Sequence, residues 1–331
     1  MDIQLNQAEI WLFALFIAKR DLSLEEVATE SRISHSQASR LATSLEEKGF
    51  LISTAKGRKK IVSLSTSAHS LALKDLLESS PHMKFDQILG NSTLRVLMGF
   101  SESGSTAEQI AQMAATPEIT VKRTLAKLMM KGVVLQPKRG IYALSLPGIW
   151  KFLDAYRLFF AEELRKGIGG SLIVSKNWGI LRTSHTNLPA NFIKTGISLF
   201  RDFGVPLNLT DFHDYYYSIL GKTKKPSREE ILVHAILRST LLNSSREISY
   251  VLLAMEKNLK KLNKGKFMEA AKRFGVERVA EECWEYLENF DKPESKRVMV
   301  ELLSHPLVFS KVQGPVFPSK EEFRDLVKQY G

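Results

Sequence analysis

Cysteine is almost absent from this 331-residue chain: Cys283 is the only one, so no disulfide within the chain and no cysteine-built zinc site is expected. It lies in the helical pattern ERVAEECWEYLENF, where a quiet, partly buried thiol is the expectation. Long apolar runs are missing too. The N-terminal stretch IWLFALFIA is about half of what a bilayer span needs. It lacks a basic start and a small-residue cleavage site, so neither a membrane span nor a secretory signal is expected, and the cytoplasm is the expected location. Negative charge is in deficit as well. Net charge is +11, with 18 Lys and Arg against 14 Asp and Glu in residues 1–150, and 29 against 22 in residues 151–331. That balance favours an anionic partner such as nucleic acid, and says nothing about fold.

Residues 6–20 read as an amphipathic helix rich in large apolar side chains. Ser23 and Glu26 then stand three apart, the reciprocal pattern that starts a helix, and Ser31-Arg32 ends it. A third helix opens at Ser34, with Gln37 three residues on, and Ala38, Leu41 and Leu45 form one apolar stripe. Ser36, Ser39, Arg40 and Thr43 therefore face away from that stripe, with Gln37 and Ser44 at its margins. Gly49 stops the helix, and FLIST and KIVSLS read as two strands joined by the basic turn AKGRK. Helix, helix, turn, helix and basic hairpin is the order of a winged helix-turn-helix.

The segment SQASRLATSLEEKGFL resembles the recognition helix and strand entry of winged-helix regulators of the MarR and ArsR kind. The resemblance implies a helix in the DNA major groove and a hairpin against the backbone or minor groove. By position it assigns base-edge contacts to Ser36, Gln37, Ser39, Arg40 and Thr43, at a helix opened by Ser34, and phosphate contacts to Lys56, Arg58, Lys59 and Lys60. The chemistry agrees: arginine grips guanine with two donors and glutamine pairs with adenine, whereas lysines on a hairpin suit phosphates.

The pattern then recurs. A shift of about 83 positions lays ITVKRTLAKLMMKGVVL on SQASRLATSLEEKGFLI, with Arg123 on Arg40, Leu128 on Leu45 and Gly132 on Gly49. Ser105 and Glu108 read as the second capping pair, and QPKRG as the second hairpin turn. Its outward residues Thr120, Lys122, Arg123 and Lys127, with Lys138 and Arg139 on the turn, predict more phosphate attraction and less discrimination. Met130, in place of Glu47, marks an alternative in which this copy contacts protein instead. Between the copies AHSLALKDLLESS reads as an amphipathic helix. In regulators of the resembled type a helix here often packs in a dimer interface, which would use Leu71, Leu73, Leu76 and Leu77.

Beyond residue 150 the pattern is α-rich. IWKFLDAYRLFFAEELRK reads as a connecting helix, GSLIVSK and WGILRTS as a strand pair, ANFIKTGISLFRDFG as a helix, and several further helices follow, one capped by Ser227 and Glu230. Asp211, His213 and Asp214 invite a metal reading, but no further ligand pattern supports it. The glycines of GIGG lack the lysine and hydroxyl of a phosphate loop, no nucleophile pairs with a base, and His234 reads as a satisfied core residue. Tyr215, Tyr216 and Tyr217 read as core strand residues, and the eight bases of residues 257–278 as a solvated helix pair or an auxiliary surface for DNA or an acidic partner.

The expectation is a mainly α protein with small β-hairpins, an α+β chain. It has winged helices at 1–66 and 91–148, a helical linker at 67–90 and an α-rich interaction or sensor domain at 149–331. The layout resembles archaeal tandem winged-helix regulators, and distantly the antitoxins of abortive-infection systems. It implies a non-enzymatic transcriptional regulator that binds double-stranded DNA without cofactor or metal, with a homodimer and a protein or small-molecule effector as further partners. A protein-docking module, a replication initiator and an antitoxin-like autoregulator are the alternatives.

Overall fold

Reciprocal caps set the first helices. Asn6 accepts the Glu9 amide (2.8 Å) and Glu9 accepts the Asn6 amide (2.7 Å), opening α1 (Gln7–Lys19). Ser23 and Glu26 repeat the exchange after the short strand β1 (Leu22–Ser23) and open α2 (Leu24–Ser31). Then come α3 (His35–Glu47), β2 (Leu51–Lys56) and β3 (Lys59–Leu64). The three strands form an antiparallel sheet in the order β1-β3-β2, so the hairpin is stitched back to the strand before α2. The structure, a computed structural model, describes residues 3–56, 59–175, 177–207, 211–221, 223–288, 297–300 and 312–330, with backbone alone at 56, 175, 297–300 and 312–314.

Helix α4 (Ala68–Ser79) and the short α5 (Phe85–Ile88) lead to the second copy: α6 (Ser92–Met98), α7 (Ala107–Ala114), α8 (Glu118–Met130), β4 (Val134–Lys138) and β5 (Ile141–Leu144). An antiparallel bridge between Ser105 and Tyr142 takes the place of the β1–β3 pairing. The offset of 83 is constant from α2 to the start of the first hairpin strand. Both ends of α2 and α3 map onto both ends of α7 and α8, the left-handed helix ends Arg32 (φ 51°) and Ala115 (φ 47°) coincide, and so do Gly49 (φ 71°) and Gly132 (φ 69°). One expectation shifts by a residue: the second capping box is Thr106 with Gln109, not Ser105 with Glu108, because Ser105 is held by its bridge to Tyr142.

The chain divides into two compact units, residues 1–165 with 219–221, and residues 166–218 with 222–331. Helix α9 (Ile149–Leu164), read from sequence as the opening of the second half, lies within the first unit and packs along α4. Its Arg157 donates to the Met98 carbonyl (2.6 Å), and Lys151 pairs with Asp75 of α4 (2.7 Å). Between α4 and α9 sits an aromatic cluster of Phe50, His69, Phe152, Tyr156 and Phe159. Of the four leucines expected at a dimer interface, Leu73 and Leu76 are buried in this first unit, Leu77 is half-buried and Leu71 is exposed.

The second unit holds β6 (Ser171–Ser175), β7 (Trp178–Thr183), β8 (Ile193–Lys194), a 3-10 helix (Gly196–Phe203) and β9 (His213–Ser218). After these come α10 (Arg228–Leu241), α11 (Ser245–Asn258), α12 (Lys264–Phe274), α13 (Glu277–Glu288), β10 (Arg297–Val300), β11 (Val312–Val316) and α14 (Lys320–Tyr330). The expected strand pair is two strands of a four-stranded antiparallel sheet, β6-β7-β9-β8, and the helix expected across 190–204 is reduced to β8 and the 3-10 turn. The core joins Tyr216 and Phe200 to the apolar faces of α10–α13. Among the described residues helix predominates and the sheets are small and antiparallel, so the fold is mainly α within an α+β class.

Candidate nucleic-acid interface

Helix α3 owes its orientation to one stripe. Ala38, Leu41, Ala42 and Leu45 are buried, and the N-cap Ser34 accepts the Gln37 amide (3.2 Å). Ser36, Arg40, Thr43 and Glu47 recur at spacings of four, three and four and are exposed along one strip, with Gln37 exposed and Ser39 half-buried beside it. Arg40 carries no ion pair among the described residues, so its five donors face solvent.

The hairpin closes tightly, Lys56 opposite Lys59, and places Lys59 and Lys60 on an exposed tip. Arg58 and the Lys56 side chain lie outside the described residues. Two acids that the sequence pattern did not single out meet the tip: Glu25 lies 3.6 Å from Lys59, and Glu46 lies 3.0 Å from Lys60. Exposed pairs of this kind contribute about 0–1 kcal/mol, little enough for a phosphate to displace.

A buried latch fixes α3 from behind. Glu9 on α1, 1% exposed, accepts from Lys48 (2.7 Å) and from Ser44 (2.5 Å) while capping its own helix. His69 stacks among the aromatics and bonds the Lys48 carbonyl through Nε2 (3.0 Å); burial lowers its pKa to about 4, so the ring is neutral.

The second helix presents a different face. Val121, Thr124, Leu125 and Leu128 are buried, and the positions matching Ser36, Arg40, Thr43 and Glu47 are Ile119, Arg123, Ala126 and Met130. Ile119 is 62% exposed and Met130 81%. Thr120 is half-buried with its carbonyl bonded by Thr124, while Lys122 pairs with Glu118 (2.7 Å), a contact that raises the lysine pKa. Arg123, Lys127, Lys138 and Arg139 are exposed. The second hairpin is three residues shorter, since Val134 faces Leu144 where Leu51 faces Leu64. The predicted contact residues that the structure describes thus fall on two surfaces, one polar with a basic tip and one apolar with a basic rim.

In the second unit, Asp214 is not an available metal ligand: its buried carboxylate is held by both arms of Arg182 (2.7 and 2.9 Å). Arg182 also reaches Glu247 (2.8 Å), and Arg238 lies 3.7 Å from both acids, so the network ties β7, β9, α10 and α11 together. His234 bonds Thr195 through Nδ1 (2.7 Å) and stacks on Tyr216; burial, with Arg273 nearby, lowers its pKa to about 3. Its Nε2 has no partner among the described residues, so this core histidine is satisfied there on one side only. The three tyrosines are buried as expected, and so is Cys283, whose thiol pKa burial pushes up. Half of the bases in 257–278 are engaged: Lys257 with the Gly204 carbonyl, Lys264 with Glu288, Arg273 with Glu230 and Arg278 with Glu282.

Curated proteins yield no match. Residues 189–305, about a third of the chain, are similar to a protein family described as HVO_2833_C, C-terminal, and the match begins after β7, leaving both copies of the repeat outside it.

Proposed function

We propose that this protein is a sequence-specific, double-stranded DNA-binding regulator of transcription, acting in the cytoplasm without catalysis. The observation that carries the reading is the solvent-facing strip of Ser36, Gln37, Arg40 and Thr43 on a capped helix, next to a basic hairpin tip. A helix so placed brings hydrogen-bonding side chains to base edges in the major groove, and the tip lysines meet phosphates. Arg123, Lys127, Lys138 and Arg139 add sequence-independent attraction from the second copy. The second unit, mainly helical around its own sheet and core, then serves as the interaction or sensor part.

Footprinting of the purified protein on the DNA upstream of its own gene tests the reading, and a protected site is the expected result. Arg40→Ala should shrink the ratio of specific to random DNA affinity by about 1–3 kcal/mol, the value of one bidentate base contact. Equal weakening on both DNAs would make Arg40 a phosphate contact.

A further inference from the structure

Helices α3 and α8 match end to end at an offset of 83, so their outward positions are comparable residue by residue. On α3 the strip reads Ser36, Arg40, Thr43, Glu47; on α8 it reads Ile119, Arg123, Ala126, Met130. Every hydrogen-bonding side chain except the arginine has been replaced by an apolar one. Ile119 and Met130 are among the most exposed large apolar residues described, and nothing in α8's own packing requires them, because Val121, Leu125 and Leu128 already fill the inner stripe. Apolar surface kept in water at matching helical positions is a mark of a docking face.

The charge around the strip says what covers it. Residues 118–131 hold Lys122, Arg123, Lys127 and Lys131 against Glu118 alone, and the adjoining hairpin adds Lys138 and Arg139 with no acid. The matching α3 segment, residues 35–48, balances Arg40 and Lys48 with Glu46 and Glu47. A second copy of the chain fits poorly, because a two-fold contact through this face would bring like charges together. DNA bases fit poorly as well, since isoleucine, alanine and methionine offer no donor or acceptor to a base edge. We infer that the outward face of α8 docks an acidic amphipathic helix of another protein, its apolar stripe on Ile119, Ala126 and Met130 and its carboxylates on the basic rim. Methionine suits this work, being unbranched and able to repack against varied apolar partners. Recognition of this kind, an apolar helix face with flanking charge, needs no groove-reading chemistry.

Fluorescence anisotropy of the full chain with a labelled synthetic helix tests the inference. The probe carries leucines at i, i+3, i+4 and i+7 with glutamates between, and a second peptide of the same composition has the leucine pattern scrambled. The patterned peptide should bind. Ile119→Ser and Met130→Glu, which install polar residues at surface positions where folding is not at stake, should each weaken it about tenfold. DNA site preference and solution mass should stay unchanged. Equal binding of the scrambled peptide would reduce the face to plain charge and overturn the inference. A fall in mass with Met130→Glu would hand the face to a second copy, and altered base preference with Ile119→Ser would hand it to thymine methyl groups; either overturns it too. The reading of Arg40 is separate, because failure of that variant to change DNA preference leaves the peptide measurement standing.

Discussion

The first helix-and-hairpin copy is clamped where the second is open. At the end of α3, Gly49 is roofed by Phe159 and His69, Lys48 is buried against Glu9, and Phe50 enters the aromatic cluster under α4 and α9. At the same place on α8, Gly132 has nothing within 4 Å of where a side chain would start, Lys131 bonds the exposed Gln87, and Val133 replaces the phenylalanine. Both copies keep the same backbone turns and bonds, Phe50 to Leu45 and Val133 to Leu128 among them. A shared local code therefore fixes the shape, while neighbours decide how much each helix end contributes to stability.

The latch gives the largest predicted contrast. Lys48→Met strands the Glu9 carboxylate in a buried site, and breaking one side of a buried pair costs about 3–5 kcal/mol. Lys131→Met removes a half-exposed contact and should stay within about 0.5 kcal/mol. Denaturant midpoints of the two variants measure the difference; similar losses would break the comparison.

Acid should act on the clamp next. The unfolded chain protonates His69 near pH 6.5, while the folded chain holds it neutral down to about pH 4. The unfolded state thus binds more protons in that window, so this stability is complete above pH 6.5 and lost as pH falls to 4, up to about 3 kcal/mol. His234 imposes the same sign in the second unit over a window reaching about pH 3. His69→Gln keeps a donor for the Lys48 carbonyl and removes the titration, so its stability should fall less steeply between pH 6.5 and 4 than the wild type's.

The glycines sharpen the contrast further. At both, a side chain must adopt a left-handed backbone costing about 1–2 kcal/mol. At Gly49 a Cβ would also stand 2.6 Å from the Phe159 ring, adding about 1–3 kcal/mol of overpacking. Gly49→Ala should therefore lower the melting temperature more than Gly132→Ala does.

What the sequence made legible follows from how local the cause is. Ser23–Glu26, Gly49, the leucine stripe and their repeats act within a few residues, and periodicity reads them. Thr106–Gln109 was legible from the repeat itself, because the shift of 83 carries Ser23 and Glu26 onto it; Ser105–Glu108 fits the same spacing, but Ser105 bridges Tyr142, 37 positions away. The buried network of Arg182 with Asp214 and Glu247 spans 32 and 65 positions and leaves no periodic trace. Nor did α9 announce its partner, since a helix apolar on several sides packs equally well on either neighbour. The site residues were legible in identity, but the exposure of Ile119 and the acids at the hairpin tip were not, because both depend on what lies across the fold.

The hairpins provide the smallest and most specific test. Lys59 and Lys60 sit on the longer hairpin, each within 4 Å of an acid, whereas Lys138 and Arg139 sit on the shorter one without any ion pair among the described residues. If both tips meet phosphates, removing two cations from either should flatten the dependence of log affinity on log salt by about 1.8, or 0.9 for each phosphate contact released. The pre-existing pairs change that expectation for the first tip. Glu25 and Glu46, freed of their lysines, would face the DNA as uncompensated carboxylates, so Lys59→Ala with Lys60→Ala should lower affinity more than the slope alone implies. Lys138→Ala with Arg139→Ala should follow the slope and nothing else. Titrations of random DNA at several salt concentrations separate the cases. An unchanged slope for the first pair takes that hairpin off the DNA, and an unchanged slope for the second leaves its module entirely to protein contacts.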